Sequence, residues 1–234
     1  MSTSSWRLSK SESKRLGHSN SAEPTAGSDV SAAVHQQRSA IDMTLLDQRE
    51  AHYRRFLGNF GEQVMHSTDF KKVHIDVYTF SPTATRPFYT LLTGGMSDVR
   101  QNIPEKYSRL APRAEILTYV RNPQGWMYNV LKGLAEMPSE DNTFLHWYHT
   151  VPNGKPMTAN PSELSAFFFV PPYLEAKGFN PMLVDGDRTD FLVMIPITIP
   201  EMNFKKEHGA EALLKVFDEK NFDYIVNEAR KSFV

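Results

Sequence analysis

Phe191-Leu-Val-Met-Ile-Pro-Ile-Thr-Ile199 decides the fold class. The stretch is apolar at consecutive positions, so it offers no polar face to water. It is also far shorter than the roughly 20 residues needed to cross a bilayer, and Pro196 interrupts it. A short, β-branched, two-sided apolar run reads as a central strand covered on both faces. Ala166 to Val170 reads the same way. Outward from these two, Val73 to Phe80 sets Val73, Ile75, Val77 and Thr79 against His74, Asp76, Tyr78 and Phe80, as expected of a strand. Phe88 to Leu92, Ala114 to Arg121 and Phe144 to Val151 are further strand candidates.

Helical periods lie between and around these strands. Thr44-Leu-Leu-Asp47 offers a capping box for a helix that Gly58 and Gly61 should stop. From Gly125 to Met137, Trp126, Val130 and Leu134 recur at i, i+4 and i+8, an amphipathic helix expected to end at Pro138. After Pro200 a second helical region buries Ala210, Leu213, Leu214 and Phe217, and Ile225, Val226, Ala229 and Phe233 suggest a terminal helix. The elements do not alternate as in a doubly wound sheet. The expected class is α+β, a mixed, largely antiparallel sheet packed with helices.

Composition narrows the function. The chain carries 26 basic and 27 acidic side chains, a net charge of -1, so no overall field draws it to nucleic acid or anionic lipid. It has no cysteine, which removes disulfides, thiolate metal sites and Cys nucleophiles and fits a cytoplasmic location. No membrane span or secretory signal is legible. Residues 1–41 are Ser-rich and poor in large apolar side chains, so they are expected to be a disordered tail ahead of a single domain over residues 42–234.

Three clusters could carry chemistry. Leu92-Thr-Gly94-Gly95-Met96-Ser97-Asp98 places a serine after a strand, but a nucleophile elbow needs Gly two residues after the Ser and this chain has Val99. A tight turn whose Ser and Asp satisfy backbone donors is the simpler reading. His146 and His149 flank Trp147 and Tyr148; on a strand the odd spacing sends the two rings to opposite faces, and no acid accompanies them at metal-motif spacing. Glu207-His208 is read as capping a helix start before Gly209. No phosphate-binding glycine loop is present, and neither a cofactor nor a metal is expected. The alternative to a non-catalytic chain is a hydrolase using Ser97 and Asp98 with His146 or His149.

Five stretches resemble the suppressor of fused family, in matching order and spacing. They are Tyr89 to Asp98, Arg113 to Tyr119, Trp126 to Leu134 with Asn142-Thr-Phe144, His149-Thr-Val-Pro-Asn153, and Phe191 to Pro196 leading into Glu201 to Leu214. The most specific elements are the Gly-Met-Ser-Asp turn and the Glu-His-Gly-Ala-Glu segment. The resemblance implies a mixed sheet between helices that works by binding protein, without a cofactor. Animal members grip a transcription-factor peptide between two domains; the match here covers the first of these, so the clamp is not carried over. Those members also place an acid before the histidine that matches His149, where this chain has Tyr148. Bacterial stand-alone members are nearer in kind, and some resemble immunity proteins that neutralise toxins. The partner is therefore expected to be another protein, a toxin or a regulatory protein, docking on Asn142 to Asn153 and the loop Pro171 to Asp187. Trp147, Tyr148, His149, Asn153, Tyr173 and Phe179 are the candidate contacts, since aromatic anchors dominate protein interfaces.

Overall fold

The structure is a computed structural model that describes residues 43–61, 64–66, 72–157 and 162–234. The expected Ser-rich tail lies outside these residues. Among the described residues nine strands form one sheet in the order β1-β2-β3-β4-β8-β6-β5, with β7 paired to β8 and β9 to β4. The strands are β1 (Val64–His66), β2 (Asp76–Phe80), β3 (Tyr89–Gly94), β4 (Arg113–Val120), β5 (Thr150–Pro152), β6 (Leu164–Val170), β7 (Met182–Val184), β8 (Asp187–Thr198) and β9 (Ile225–Val226). β4 runs parallel to β8 and to β9, and every other pairing is antiparallel. The sheet is mixed and largely antiparallel, and the fold is α+β.

β8 shows why its sequence is apolar from Phe191 to Ile197. Phe191, Val193, Ile195 and Ile197 enter one core, while Leu192 and Met194 enter the other. The first core is closed by α1 (Leu45–Leu57), α3 (Ile199–His208) and α4 (Ala210–Glu219), through Tyr53, Leu57, Met202, Leu213 and Phe217. The second is closed by α2 (Gly125–Glu140) through Met127, Leu131, Leu134 and Ala135. A strand covered on both faces cannot alternate with polar residues, because each would be buried without water.

The helix starts follow from capping. Thr44 and Asp47 form the expected reciprocal box at α1, and Thr198 and Glu201 repeat it at α3. Gly58 ends α1 at φ +85°.

Several boundaries differ from the sequence reading. Pro138 does not end α2; the helix runs to Glu140, and Asp141 N–H donates to Met137 C=O at 2.9 Å to close the last turn. Phe144 to Val151 is not a strand: only Thr150–Pro152 pairs, and the preceding residues form turns in which His149 N–H reaches His146 C=O at 3.2 Å. β2 begins at Asp76, although Val73 and Ile75 are buried ahead of it. Glu207 and His208 close the end of α3, and the following α4 starts beyond Gly209, which sits at φ +91°.

The expected terminal helix is replaced by β9. After the Leu117–Val193 pair β4 leaves β8, and Ile225 and Val226 take the vacated edge by pairing with Tyr119 and Val120. Arg230 then fills the split. Its guanidinium donates to Pro196 C=O at 3.0 Å and to both Glu201 oxygens at 2.5 and 2.9 Å, and it lies over the rings of Phe217, Phe222 and Phe233. Pro196 follows the last β4 pair, a place where a strand tolerates a missing N–H.

Candidate functional site

The Gly94–Asp98 turn is built around one carboxylate. Glu115, fully buried on β4, accepts from Thr93 Oγ1 and Ser97 Oγ at 2.6 Å each, and from the N–H groups of Gly95 and Ser97 at 3.0 Å each. The Arg49 guanidinium of α1 stands 4.0 Å away and pairs with Asp98. Four donors and a nearby cation are what a buried carboxylate needs to offset its lost hydration. Gly95 makes this turn possible at φ +111°, with the site of a Cβ only 2.0 Å from the His74 carbonyl oxygen, so no other residue fits. Tyr53 roofs the knot: its hydroxyl donates to Thr93 C=O at 2.8 Å, and burial pushes its ionisation well up. Arg113 completes it by donating to Ser97 C=O at 2.7 Å and to Asp187 at 2.8 Å.

Ser97 is therefore 0 % exposed, and its hydroxyl hydrogen is committed to Glu115. Among the described residues Ser97 and Asp98 are partnered by Glu115 and Arg49 and not by a histidine. His146 instead lies 3.4 Å from Asp190, and His149 rests edge-on against Phe144 with ring centroids 5.0 Å apart. Burial, followed by the neighbouring His146 and Lys205 charges, holds the His149 imidazole below its usual range. The nucleophile–base contact that a serine hydrolase requires is not formed by these groups.

The second assembly is open to solvent. Tyr148 occupies the turn before β5 at φ +69°, with its N–H bonded to Phe169 C=O at 2.6 Å. Tyr173 follows β6, and Tyr224 precedes β9. The Tyr173 and Tyr224 rings meet at 5.8 Å, and Tyr148 stacks obliquely on Phe168 at 6.4 Å. Burial first, then the adjacent Tyr148 hydroxyl, pushes the Tyr173 phenol well above its ordinary range. Tyr148 is 39 % exposed and Tyr173 52 %. Glu175 anchors the loop that carries Tyr173 by pairing with Arg86 at 2.8 Å. The segment Asn142 to Asn153 and the loop Pro171 to Asp187 thus meet through Tyr148 and Tyr173.

The other expected contacts are placed differently. Phe179 is 0 % exposed and stacks on Phe191 at 4.2 Å, so it is core and offers no surface. Trp147 is half-buried against the α2 core, where its indole N–H donates to Phe191 C=O at 2.9 Å. Asn153 spends its side chain on Lys155 C=O at 2.9 Å. Glu207 and His208 are exposed at the end of α3.

Sequence reasoning missed Glu115, Arg49 and Tyr224. A lone acid inside an apolar strand, Ala114-Glu115-Ile116, is the signal that could have revealed the first. It also looked for metal ligands only at His146 and His149. The structure instead gathers His66, His74 and Asp76, whose ligand atoms lie within 4.8 Å of one another.

No curated protein matches the chain significantly. Solved structures do. A suppressor of fused homologue from Neisseria gonorrhoeae FA 1090 aligns at TM-score 0.60 with 18% identity, covering 81% of this chain and 94% of that one. A chain of the Sufu–Fu complex aligns at 0.56 with 12% identity over 81% and 90%. Drosophila suppressor of fused aligns at 0.54 with 12% identity over 81% of this chain, which spans only 50% of its length. These likenesses establish the fold. The model of the suppressor of fused protein family matches residues 71–231, most of the described chain, and the chain accordingly belongs to the suppressor of fused (SUFU) family.

Proposed function

We propose that this chain is a non-catalytic, cytoplasmic protein-binding domain that sequesters another protein on its tyrosine face, as a toxin-neutralising immunity protein or as a regulator. The observation that carries this reading is the convergence of Tyr148, Tyr173 and Tyr224 from three separate segments at the surface. Rigid, amphipathic rings make interface anchors at low cost in side-chain entropy. The family supports it: Sufu forms a solved complex with Fu. The buried state of Ser97 weighs against the hydrolase alternative. Charge balance argues against a nucleic-acid partner. Among the described residues no helix is long and apolar enough to cross a membrane.

The test is a titration of the product of an adjacent reading frame, or of a co-purifying protein, against the parent chain and its Tyr148→Ala and Tyr173→Ala variants. Each variant should weaken binding by about 1 to 3 kcal/mol. Lys72→Ala, at an exposed residue beside the end of α2, should change little. Loss of binding in Lys72→Ala alone would move the site to the α2 side. A toxin-like neighbouring frame whose product is neutralised would select the immunity role over the regulatory one.

A further inference from the structure

We propose that His66, His74 and Asp76 form a site for a divalent transition metal of the zinc class at the β1 edge of the sheet. The backbone brings the three together. His66 is the register partner of Asp76 across the β1–β2 pair, and His74 lies two residues before Asp76, so its side chain emerges on the same face. Both imidazoles aim a nitrogen at one oxygen: His66 Nδ1 is 2.7 Å and His74 Nε2 3.0 Å from Asp76 Oδ1. The rings lie nearly parallel with centroids 6.3 Å apart.

This geometry is nearly that of a coordination sphere. Zinc binds imidazole nitrogen and carboxylate oxygen at about 2.0 to 2.2 Å, so tetrahedral ligand atoms sit about 3.3 Å from one another. Widening the two short contacts by a few tenths of an ångström opens room for the ion. Two imidazoles and one carboxylate favour zinc, cobalt, nickel or copper over magnesium and calcium, which prefer all-oxygen shells. Asp76 is largely covered, whereas the His66 and His74 side chains are 38 % and 57 % exposed. The ion can therefore enter from solvent and keep water at its remaining position. The ligands come from two strands, so the bound metal would clamp β1, an edge of the sheet, onto β2. β1 and the β5 beside Tyr148 stand at opposite ends of the strand order, so this site is independent of the proposed docking face.

The experiment is calorimetric titration of the full chain with Zn²⁺, visible spectroscopy with Co²⁺, and amide exchange at Val64, Met65 and His66. The expected results are one ion per chain, the ligand-field bands of four-coordinate cobalt, and slower exchange of the β1 amides when metal is bound. His74→Gln, a change at an exposed side chain, and Asp76→Asn should each weaken binding at least about tenfold. His208→Gln and the His18→Gln/His35→Gln double variant should bind as the parent does. The proposal is overturned if the parent takes up no Zn²⁺, if His74→Gln binds like the parent, or if the control variants lose binding equally.

Discussion

The Gly94–Asp98 turn and the tyrosine face are both rich in hydroxyl groups, but they meet opposite solvents. In the turn, the Ser97 and Thr93 hydroxyls are buried and spent on Glu115. On the face, Tyr148 and Tyr173 keep a large part of each ring in water. A hydroxyl whose donor is consumed inside a core holds the fold together and cannot react with or grip anything else. An exposed ring held by a rigid backbone contributes little to folding and is free to bind. The family's most specific motif is thus a folding device, and the surface proposed for recognition is the exposed one.

Breaking the first half of this comparison should give the largest effects. Glu115→Ala leaves the Thr93 and Ser97 hydroxyls and two buried N–H groups without their acceptor, and should lower unfolding free energy by about 3 to 5 kcal/mol in urea titrations. Gly95→Val forces a branched side chain against the His74 carbonyl at a positive φ and should cost about 2 to 4 kcal/mol. Ser97→Ala removes one of Glu115's four donors and should cost about 1 to 2 kcal/mol. An equal or greater loss for Ser97→Ala than for Gly95→Val would mean that the serine, and not the turn, is the reason for the motif. Tyr173→Ala and Tyr148→Ala, on the other side of the comparison, should change stability by less than about 1 kcal/mol.

Acid sharpens the account by a smaller amount. Burial holds the His52 imidazole below the ordinary value of 6.5, and His149 is lowered for the same leading reason. A folded-state value below the unfolded one means that the unfolded chain binds protons first as pH falls. Stability should be full above about pH 7 and decline as pH drops through 6.5 toward the folded values. His52→Gln should flatten that slope, and an unchanged slope would place its origin elsewhere.

The fold was largely legible because buried central strands leave an unmistakable two-sided apolar run, as Phe191 to Thr198 shows. What escaped was set by long-range geometry. Ile225 and Val226 have a helical spacing yet pair as β9, because β4 leaves an edge open that only the assembled sheet reveals. Phe144 to Val151 is β-prone by composition, but its rings pack in several directions around turns. For the proposed face, Tyr148 was read on a strand candidate and Tyr173 in a loop, and both are exposed. Phe179 was not separable from them, since stacking on Phe191 is invisible to local sequence. Glu115 was overlooked because its donors come from residues 93 to 97, a different strand and turn.

The most direct test of the central claim is a paired measurement of stability and partner affinity on Ser97→Ala and Tyr173→Ala. Ser97→Ala should unfold at lower urea and bind the partner as tightly as the parent while folded. Tyr173→Ala should unfold with the parent and bind about 1 to 3 kcal/mol more weakly. The opposite pattern, with Ser97→Ala fully stable but inactive and Tyr173→Ala binding unchanged, would contradict the division between a buried structural knot and an exposed docking face.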